Sequence, residues 1–223
     1  MSSLTERYER VSAGIAEAAR DAGRDPSGIT TIVVTKFHPA SLVRELVALG
    51  VHDVGENRHQ EAAAKAAELS DLALEWHFIG QLQGNKAAAA LQYAGTVHSV
   101  DRASLVTALG RTGRDVGVFL QLNLTDDPHR GGVASDALEQ LAETVLAVPT
   151  LRLRGLMAVA PLGEPPREAF AAVRAASVRL QALAPQATEL SMGMSGDYRE
   201  AILEGATHLR IGTAITGNRA PQS

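Results

Sequence analysis

The chain contains three lysines, and only one of them continues a β-branched run. Lys36 follows ITTIVVT, Lys65 falls in the Ala-rich segment EAAAKAAE, and Lys86 stands near the start of a predicted helix. An amine held partly out of water loses its proton more easily, and the neutral amine is the form that Schiff-base chemistry needs. Lys36 is therefore the candidate for that chemistry. Exposure to solvent, the usual situation of a lysine, is the alternative.

A second feature is the segment SMGMSGD at 191–197, which precedes a predicted helix. Its small residues Gly193, Ser195 and Gly196 leave backbone N–H groups accessible, and the helix N-terminus adds a favourable dipole. This combination suits a phosphate group. The alternative is an ordinary turn in which Ser195 or Asp197 only caps the following helix.

The third feature is an arginine inside an apolar run, Arg210 in ATHLRIGTAI, which by strand alternation shares a face with His208 and Gly212. A guanidinium placed there requires an acceptor, which could be a ligand or a structural carboxylate. Together, Lys36, the phosphate cradle formed by the segment at 191–197, and Arg210 describe a site for pyridoxal 5′-phosphate (PLP). The aldehyde meets the amine of Lys36, the phosphate meets the cradle, and Arg210 reaches the ring nitrogen.

These three features require a scaffold that brings distant strand ends together. Short β-branched runs alternate with Ala-rich amphipathic segments, after a leading helix at 4–22 that begins with a capping box, and this rhythm predicts a parallel sheet. The predicted strands are 30–36, 51–54, 75–80, 96–100, 116–123, 152–160, 188–192 and 207–212. The predicted helices are 40–49, 57–69, 84–92, 102–112, 135–147, 167–183 and 197–204.

Eight such strands predict an α/β fold, a single-domain (β/α)8 TIM barrel with an extra N-terminal helix. We expect one PLP-binding domain over 1–223, with the leading helix in 1–25 and the barrel in 30–217. In a barrel of this kind functional residues gather at the carboxyl ends of the strands, and phosphate often binds after strands seven and eight. An open doubly wound sheet is the rival, but TKFHPA is not the Gly-rich turn that it would show after strand one.

The composition excludes several classes of protein. The 223 residues are 45% hydrophobic and 21% charged, with a net charge of −4 and no cysteine. Thiol catalysis, disulfides and thiolate metal sites are thereby excluded, and without a basic patch nucleic-acid binding is not expected. No apolar stretch has the character of a signal peptide or a membrane span. We expect a cytoplasmic protein without a membrane partner.

Other catalytic chemistries find little support in the motifs. The order of residues in GMSG does not match a nucleophile elbow, and the seven histidines show no metal-binding spacing, so no metal site is expected. We interpret His77 and His98 as packed or hydrogen-bonded residues. Glu56, beside Asn57, could be an acid–base group or only a partner of the next helix start.

With these residues assembled, the chain closely resembles the YggS/PROSC-type pyridoxal phosphate homeostasis protein family. The likeness runs through nearly the whole sequence in a matching order. It rests on TK at 35–36, GEN at 55–57, WHFIGQLQGNK at 76–86, SVD at 99–101, RGLM at 154–157, LSMGMSGDYREAI at 190–202 and RIGTAITG at 210–217. The family fold resembles the barrel domain of alanine racemase without that enzyme's β-rich second domain.

The resemblance implies a set of cofactor-binding residues but no catalytic ones. Lys36 would carry the Schiff base and Arg210 would face the pyridine nitrogen, while Asn57 would lie near the ring. The phosphate would be held by Ser195, Gly212 and Thr213, and His77 and Met192 would line the pocket.

The function that the resemblance implies is that of a PLP-binding protein which buffers or delivers the cofactor and maintains vitamin B6 and amino-acid homeostasis. Its expected partners are PLP and apo PLP-dependent enzymes, and a monomer is expected. An arginine at the ring nitrogen leaves the ring a weak electron sink, which favours a carrier over an enzyme. A PLP-dependent amino-acid racemase is the alternative, although a second base is not evident. A scaffold with vestigial PLP is a third.

Overall fold

The computed structural model describes residues 2–125, 127 and 130–217. Eight parallel strands close into a barrel in sequence order, with the last strand paired to the first. This confirms the predicted (β/α)8 fold. The strands are β1 Thr30–Val34, β2 Asp53–Glu56, β3 Glu75–Phe78, β4 Thr96–Val100, β5 Val116–Gln121, β6 Leu151–Met157, β7 Glu189–Ser191 and β8 His208–Ile211.

The helices surround this barrel, and all the predicted ones are present with slightly different ends. They are α1 Leu4–Asp21, α2 Ala40–Ala48, α3 His59–Glu68, α4 Ala87–Ala90, α5 Ala103–Gly110, α6 Leu138–Leu146, α7 Pro166–Leu183, α8 Tyr198–Leu203 and α9 Thr213–Thr216. Short 3-10 turns lie at Pro26–Gly28 and Gly84–Lys86. Within the described part of the chain, no helix combines the length and the apolar character needed to cross a bilayer.

Helix α1 begins with the capping box predicted from the sequence. The Ser3 hydroxyl accepts the Glu6 backbone N–H at 3.1 Å, and the Glu6 carboxylate accepts the Ser3 N–H at 2.9 Å. Its buried face includes Val11 and Ile15. The Arg7 guanidinium donates to the Ile215 carbonyl at 2.7 Å, which ties the leading helix to α9 after the last strand.

The buried residues form two layers. Between the strands and the helices the packing is almost wholly apolar, and strand residues such as Val33, Val97 and Leu209 belong to that layer. Inside the barrel the layer is aromatic and polar: the His98 ring stacks on Phe119 with centroids 4.5 Å apart. Residues that alternate along one strand therefore face two different environments, as expected for a closed parallel barrel.

The ends of several elements differ from the sequence prediction: β1 ends at Val34 rather than at 36, and β6 ends at Met157 rather than at 160. Strand β2 runs from Asp53 to Glu56 rather than over 51–54, because the backbones of β1 and β3 pair with its later residues: Thr35 N–H donates to the Gly55 carbonyl at 3.0 Å and Ile79 N–H to the Glu56 carbonyl at 2.8 Å. Glu56 is thus inside a strand rather than at a helix start. The short helix α9 was not predicted, since four residues carry too little periodic pattern.

Candidate cofactor site

A cavity of about 350 Å³ opens at the carboxyl ends of β1 and β8. Five of the eight predicted cofactor-binding residues line it, namely Lys36, Ser195, Arg210, Gly212 and Thr213; the other lining residues are Val34, Ile79, Met194 and Gly196. The volume lies in the range of small-molecule sites. Residues from the first strand and the last two strands meet here because β8 pairs with β1 and closes the barrel.

The backbone directly after Lys36 is in an uncommon conformation. Phe37 has φ of +66°, in the left-handed region that side chains other than glycine rarely adopt. A hydrogen bond from the His38 N–H to the Thr35 carbonyl at 3.1 Å closes the turn, and the Phe37 N–H donates to the Glu61 carboxylate. The surroundings therefore impose this turn, and the turn sets the position of the half-buried Lys36 side chain.

A buried ion network fastens the same turn. The Lys65 ammonium donates to the Thr35 carbonyl at 2.7 Å, to Glu56 at 2.7 Å and to Glu61 at 2.8 Å. Glu56 also accepts from the Thr35 hydroxyl at 2.7 Å. Burial raises the pKa of Glu56, and the Lys65 ammonium works against that rise. Lys65 is therefore not an exposed helix residue, and Glu56 is not a helix-start residue. Both stabilise the strand end that carries Lys36.

The segment at 193–197 is shaped as an open loop. Gly193 has φ of +92°, and a Cβ there would lie 2.6 Å from the Ala201 Cβ, so a side chain does not fit. The Met194 N–H donates to Asp197 at 2.6 Å, whereas neither Asp197 nor Ser195 caps α8 with its side chain. Asp197 stands at the N-cap position of α8, but its side chain makes no capping bond there. Ser195 instead accepts the Ala214 N–H at 3.3 Å, which leaves its hydroxyl hydrogen available to donate.

Arg210 is buried, and its guanidinium is fixed by oxygen atoms that carry no net charge. It donates to the Ser191 carbonyl at 2.6 Å, the Ser191 hydroxyl at 2.8 Å and the Ala158 carbonyl at 2.9 Å. Burial lowers the pKa of Arg210 to about 10, so it remains a cation at neutral pH. Among the described residues no carboxylate forms an ion pair with it, which removes the structural alternative considered above.

The three remaining predicted residues lie outside this cavity. Asn57 lines a neighbouring cavity of about 390 Å³, and its buried Oδ1 has no hydrogen-bond partner among the described residues. His77 points into the barrel below the cavity and bonds to His98 and Asp53, as the hydrogen-bonded interpretation predicted. Met192 is fully buried in the layer between strands and helices. Their roles toward a cofactor stay predictions.

Sequence reasoning missed the positioning residues. Glu61 and Lys65 stand four residues apart on α3, a spacing that predicts an ion pair, but the sequence does not show that both turn toward Lys36. The contact of Ser191 with His98 joins residues 93 positions apart. No local signal could have found that contact.

The lining of the cavity fits PLP chemically. An amine at Lys36, a hydroxyl donor at Ser195 and a guanidinium at Arg210 match an aldehyde, a phosphate and a ring nitrogen. Gly196 and Gly212 keep the phosphate side open: a Cβ on Gly196 would meet no heavy atom within 4 Å, and one on Gly212 would only touch Val34 at 3.7 Å.

Comparisons with known proteins identify the family. The family model for the N-terminal domain of alanine racemase matches residues 15–220. A pyridoxal phosphate homeostasis protein of Pseudomonas aeruginosa is 46% identical over 98% of this chain and 97% of its own length. The chain belongs to the pyridoxal phosphate homeostasis protein family. A second member, from Escherichia coli, is 37% identical over 98% of both chains.

Solved structures agree with this assignment. PipY from Synechococcus elongatus, whose structure was solved with PLP bound, is 41% identical to this chain. The two structures have a TM-score of 0.81, and the match covers 91% of this chain and 100% of PipY. Alanine racemase from Corynebacterium glutamicum has a TM-score of 0.72 at 15% identity, and the match covers 62% of that chain. The second likeness concerns the barrel fold alone.

Proposed function

We propose that this protein binds PLP in the Lys36 cavity and buffers or delivers it, and so contributes to vitamin B6 and amino-acid homeostasis. The observation that carries the proposal is the meeting of Lys36, Ser195, Arg210 and Thr213 in one cavity at the carboxyl ends of the strands. The names of the family members and the PLP-bound PipY structure support it. We propose further that 1–223 acts as one PLP-binding domain.

Each residue has a distinct part in holding the cofactor. Lys36 is the residue that forms the Schiff base, and the turn at Phe37 keeps its amine at the mouth. Ser195 and Thr213 donate hydroxyl hydrogens to the phosphate, and Gly212 leaves room for it. Arg210 presents only N–H donors, so it stabilises the unprotonated form of a pyridine nitrogen placed opposite it. Bound PLP would supply an aldehyde carbon, at which one amine can be exchanged for another.

The same lining argues for a carrier rather than a racemase. Racemisation requires two bases on opposite faces of the reacting carbon. Among the described residues that line the cavity, Lys36 is the one amine, and no histidine, tyrosine or carboxylate lies beside it. The names of the family members also refer to homeostasis rather than to a reaction.

Transfer of PLP to an apo-enzyme tests the function. The PLP-loaded protein is mixed with an apo PLP-dependent enzyme and activation is compared with that by the same concentration of free PLP. We expect the loaded protein to activate the enzyme. Alanine and other amino acids are assayed for racemisation and transamination at matched concentration, with Lys36→Ala as control. Rapid multiple turnover that Lys36→Ala abolishes, without activation of the apo-enzyme, would make the protein an enzyme.

The remaining parts of the proposal concern assembly and location. We propose that the protein acts as a monomer in the cytoplasm, with apo PLP-dependent enzymes as its partners. A cavity at an open barrel mouth gives such a partner direct access to the cofactor. Analytical ultracentrifugation of the loaded protein measures the assembly, and a sedimenting dimer would contradict the monomer.

A further inference from the structure

A chain of hydrogen bonds runs through the barrel from the cofactor cavity to the opposite end. Arg210 donates to the Ser191 hydroxyl at 2.8 Å, and that hydroxyl lies 2.8 Å from His98 Nδ1. His98 Nε2 lies 2.9 Å from His77 Nδ1, and His77 Nε2 lies 2.9 Å from the Asp53 carboxylate. Asp53 is the first residue of β2, so it stands at the amino ends of the strands, with 31% of its side chain exposed.

The partners at the two ends, together with one hydrogen on each imidazole ring, determine the direction of every bond. An arginine only donates and an ionised carboxylate only accepts. Since Asp53 accepts, His77 carries its hydrogen on Nε2, and a neutral His77 ring then accepts at Nδ1. His98 must therefore also carry its hydrogen on Nε2 and accept at Nδ1 from the Ser191 hydroxyl, which in turn accepts from Arg210.

The surroundings of the His98 ring favour its neutral form. Burial lowers the pKa of His98 well below its usual value, and the nearby His77, Arg210, His208 and Arg154 lower it further. Both His77 and His98 are shielded from water. Bonds that all point in one direction polarise one another, so each strengthens the next.

We propose that Asp53, His77, His98 and Ser191 are positioning residues that act as one directed chain and fix the Arg210 guanidinium for the ring nitrogen of PLP. The proposal rests on the proposed function for its ligand, but the chain itself exists in the protein without PLP. With its own hydrogen directed to His98, the Ser191 hydroxyl presents a lone pair to one guanidinium nitrogen. Loss of an acceptor elsewhere in this hydrogen-bond chain therefore changes the position of Arg210 at the cofactor site, even from the far end of the barrel.

The first test is nitrogen NMR of the histidine rings in the PLP-free protein. We expect His77 and His98 to be neutral, each with its hydrogen on Nε2, at pH 7 to 8. Asp53→Leu removes the acceptor and should mix the tautomers of both rings, whereas Asp53→Asn retains an acceptor oxygen and should restore them. A positively charged ring at either position, or hydrogen on Nδ1 of His98, would overturn the directed chain.

The second test measures PLP affinity and the absorption spectrum of bound PLP. Ser191→Ala and Asp53→Leu should both lower the affinity, by roughly tenfold for Ser191→Ala, and shift the absorption maximum. Asp53→Asn should restore both properties. Thr207→Val removes a hydroxyl that bonds to His208, which is not part of the hydrogen-bond chain, and should change neither the affinity nor the spectrum. Unchanged affinity and spectrum in Ser191→Ala would overturn the positioning role even if the NMR result holds, and failure of the wild type to bind PLP would instead refute the proposed function.

Discussion

The two ends of the barrel contain cavities of similar size but opposite character. The cavity at the amino ends, about 450 Å³ in volume, is lined by Arg154, whose guanidinium reaches Glu189 at 2.6 Å and Thr96 at 3.3 Å. At the carboxyl ends the cavity is about 350 Å³, and within the described chain the Lys36 amine has neither an ion pair nor a hydrogen bond. Cavity volume therefore does not distinguish the ends. What distinguishes the carboxyl-end cavity is a half-buried amine that has no partner among the described residues.

The largest effect is expected from Lys36→Ala at the carboxyl end. Reduction of the PLP-loaded protein with borohydride should leave an adduct on Lys36, found by peptide mapping, and the variant should lose the adduct and the visible absorption band. Only this amine meets the aldehyde in the proposed site. Lys86→Ala is the control and should keep both signals. An adduct confined to Lys65 or Lys86 in fresh wild-type protein would contradict the assignment.

The next effect is on stability, from Lys65→Met below the Lys36 turn. Removing one partner of a buried ion network leaves the carboxylates without compensation, and we expect a loss of about 3–5 kcal/mol in the free energy of unfolding. Urea denaturation measures it. Arg44→Met, which breaks an exposed ion pair with Asp71, should change little. Equal losses in the two variants would show that the buried network has no special importance.

We expect the variants Ser195→Ala and Thr213→Val to weaken PLP binding without changing the fold, which tests the comparison between the two ends of the barrel. Each hydroxyl should contribute about 1.5–3 kcal/mol to phosphate binding, or roughly tenfold to a hundredfold in affinity. Titration of the protein with PLP measures this. Thr207→Val is the matched control at the amino end and should bind normally. Unchanged affinity in both Ser195→Ala and Thr213→Val would place the phosphate elsewhere.

Near neutral pH the smallest effect is expected from His208 at the amino end, and it grows as the pH falls. Burial, with the nearby Arg154, lowers the pKa of His208 from 6.5 to about 3. Between these two values His208 is protonated in the unfolded chain but neutral in the folded protein. The stability contributed by this histidine is present above pH 6.5 and is lost as the pH falls toward 3, by about 1.4 kcal/mol per pH unit. His208→Gln should flatten the decline in urea midpoint, whereas the exposed His52→Gln should not. Identical slopes in wild type and His208→Gln would contradict the neutral buried ring.

The sequence by itself determined the barrel and the core of the candidate site. Strand and helix periodicity are local properties, so the order of eight strands was readable, and a barrel necessarily brings the end of strand one beside the end of strand eight. The sequence alone therefore placed Lys36 and Ser195 at one candidate site. What could not be read was the exact end of each strand, because pairing with neighbours extends β2 to Glu56.

Only the tertiary structure decided which polar residues pair with each other. The sequence left open whether Arg210 meets a carboxylate, and whether Lys65 is exposed. Both questions depend on contacts between residues that are distant in the chain: Arg210 bonds to Ala158, 52 residues away, and Lys65 bonds to Thr35, 30 residues away. Such contacts follow from the closure of the barrel and the rotation of each helix on its surface, which leave no local pattern in the sequence.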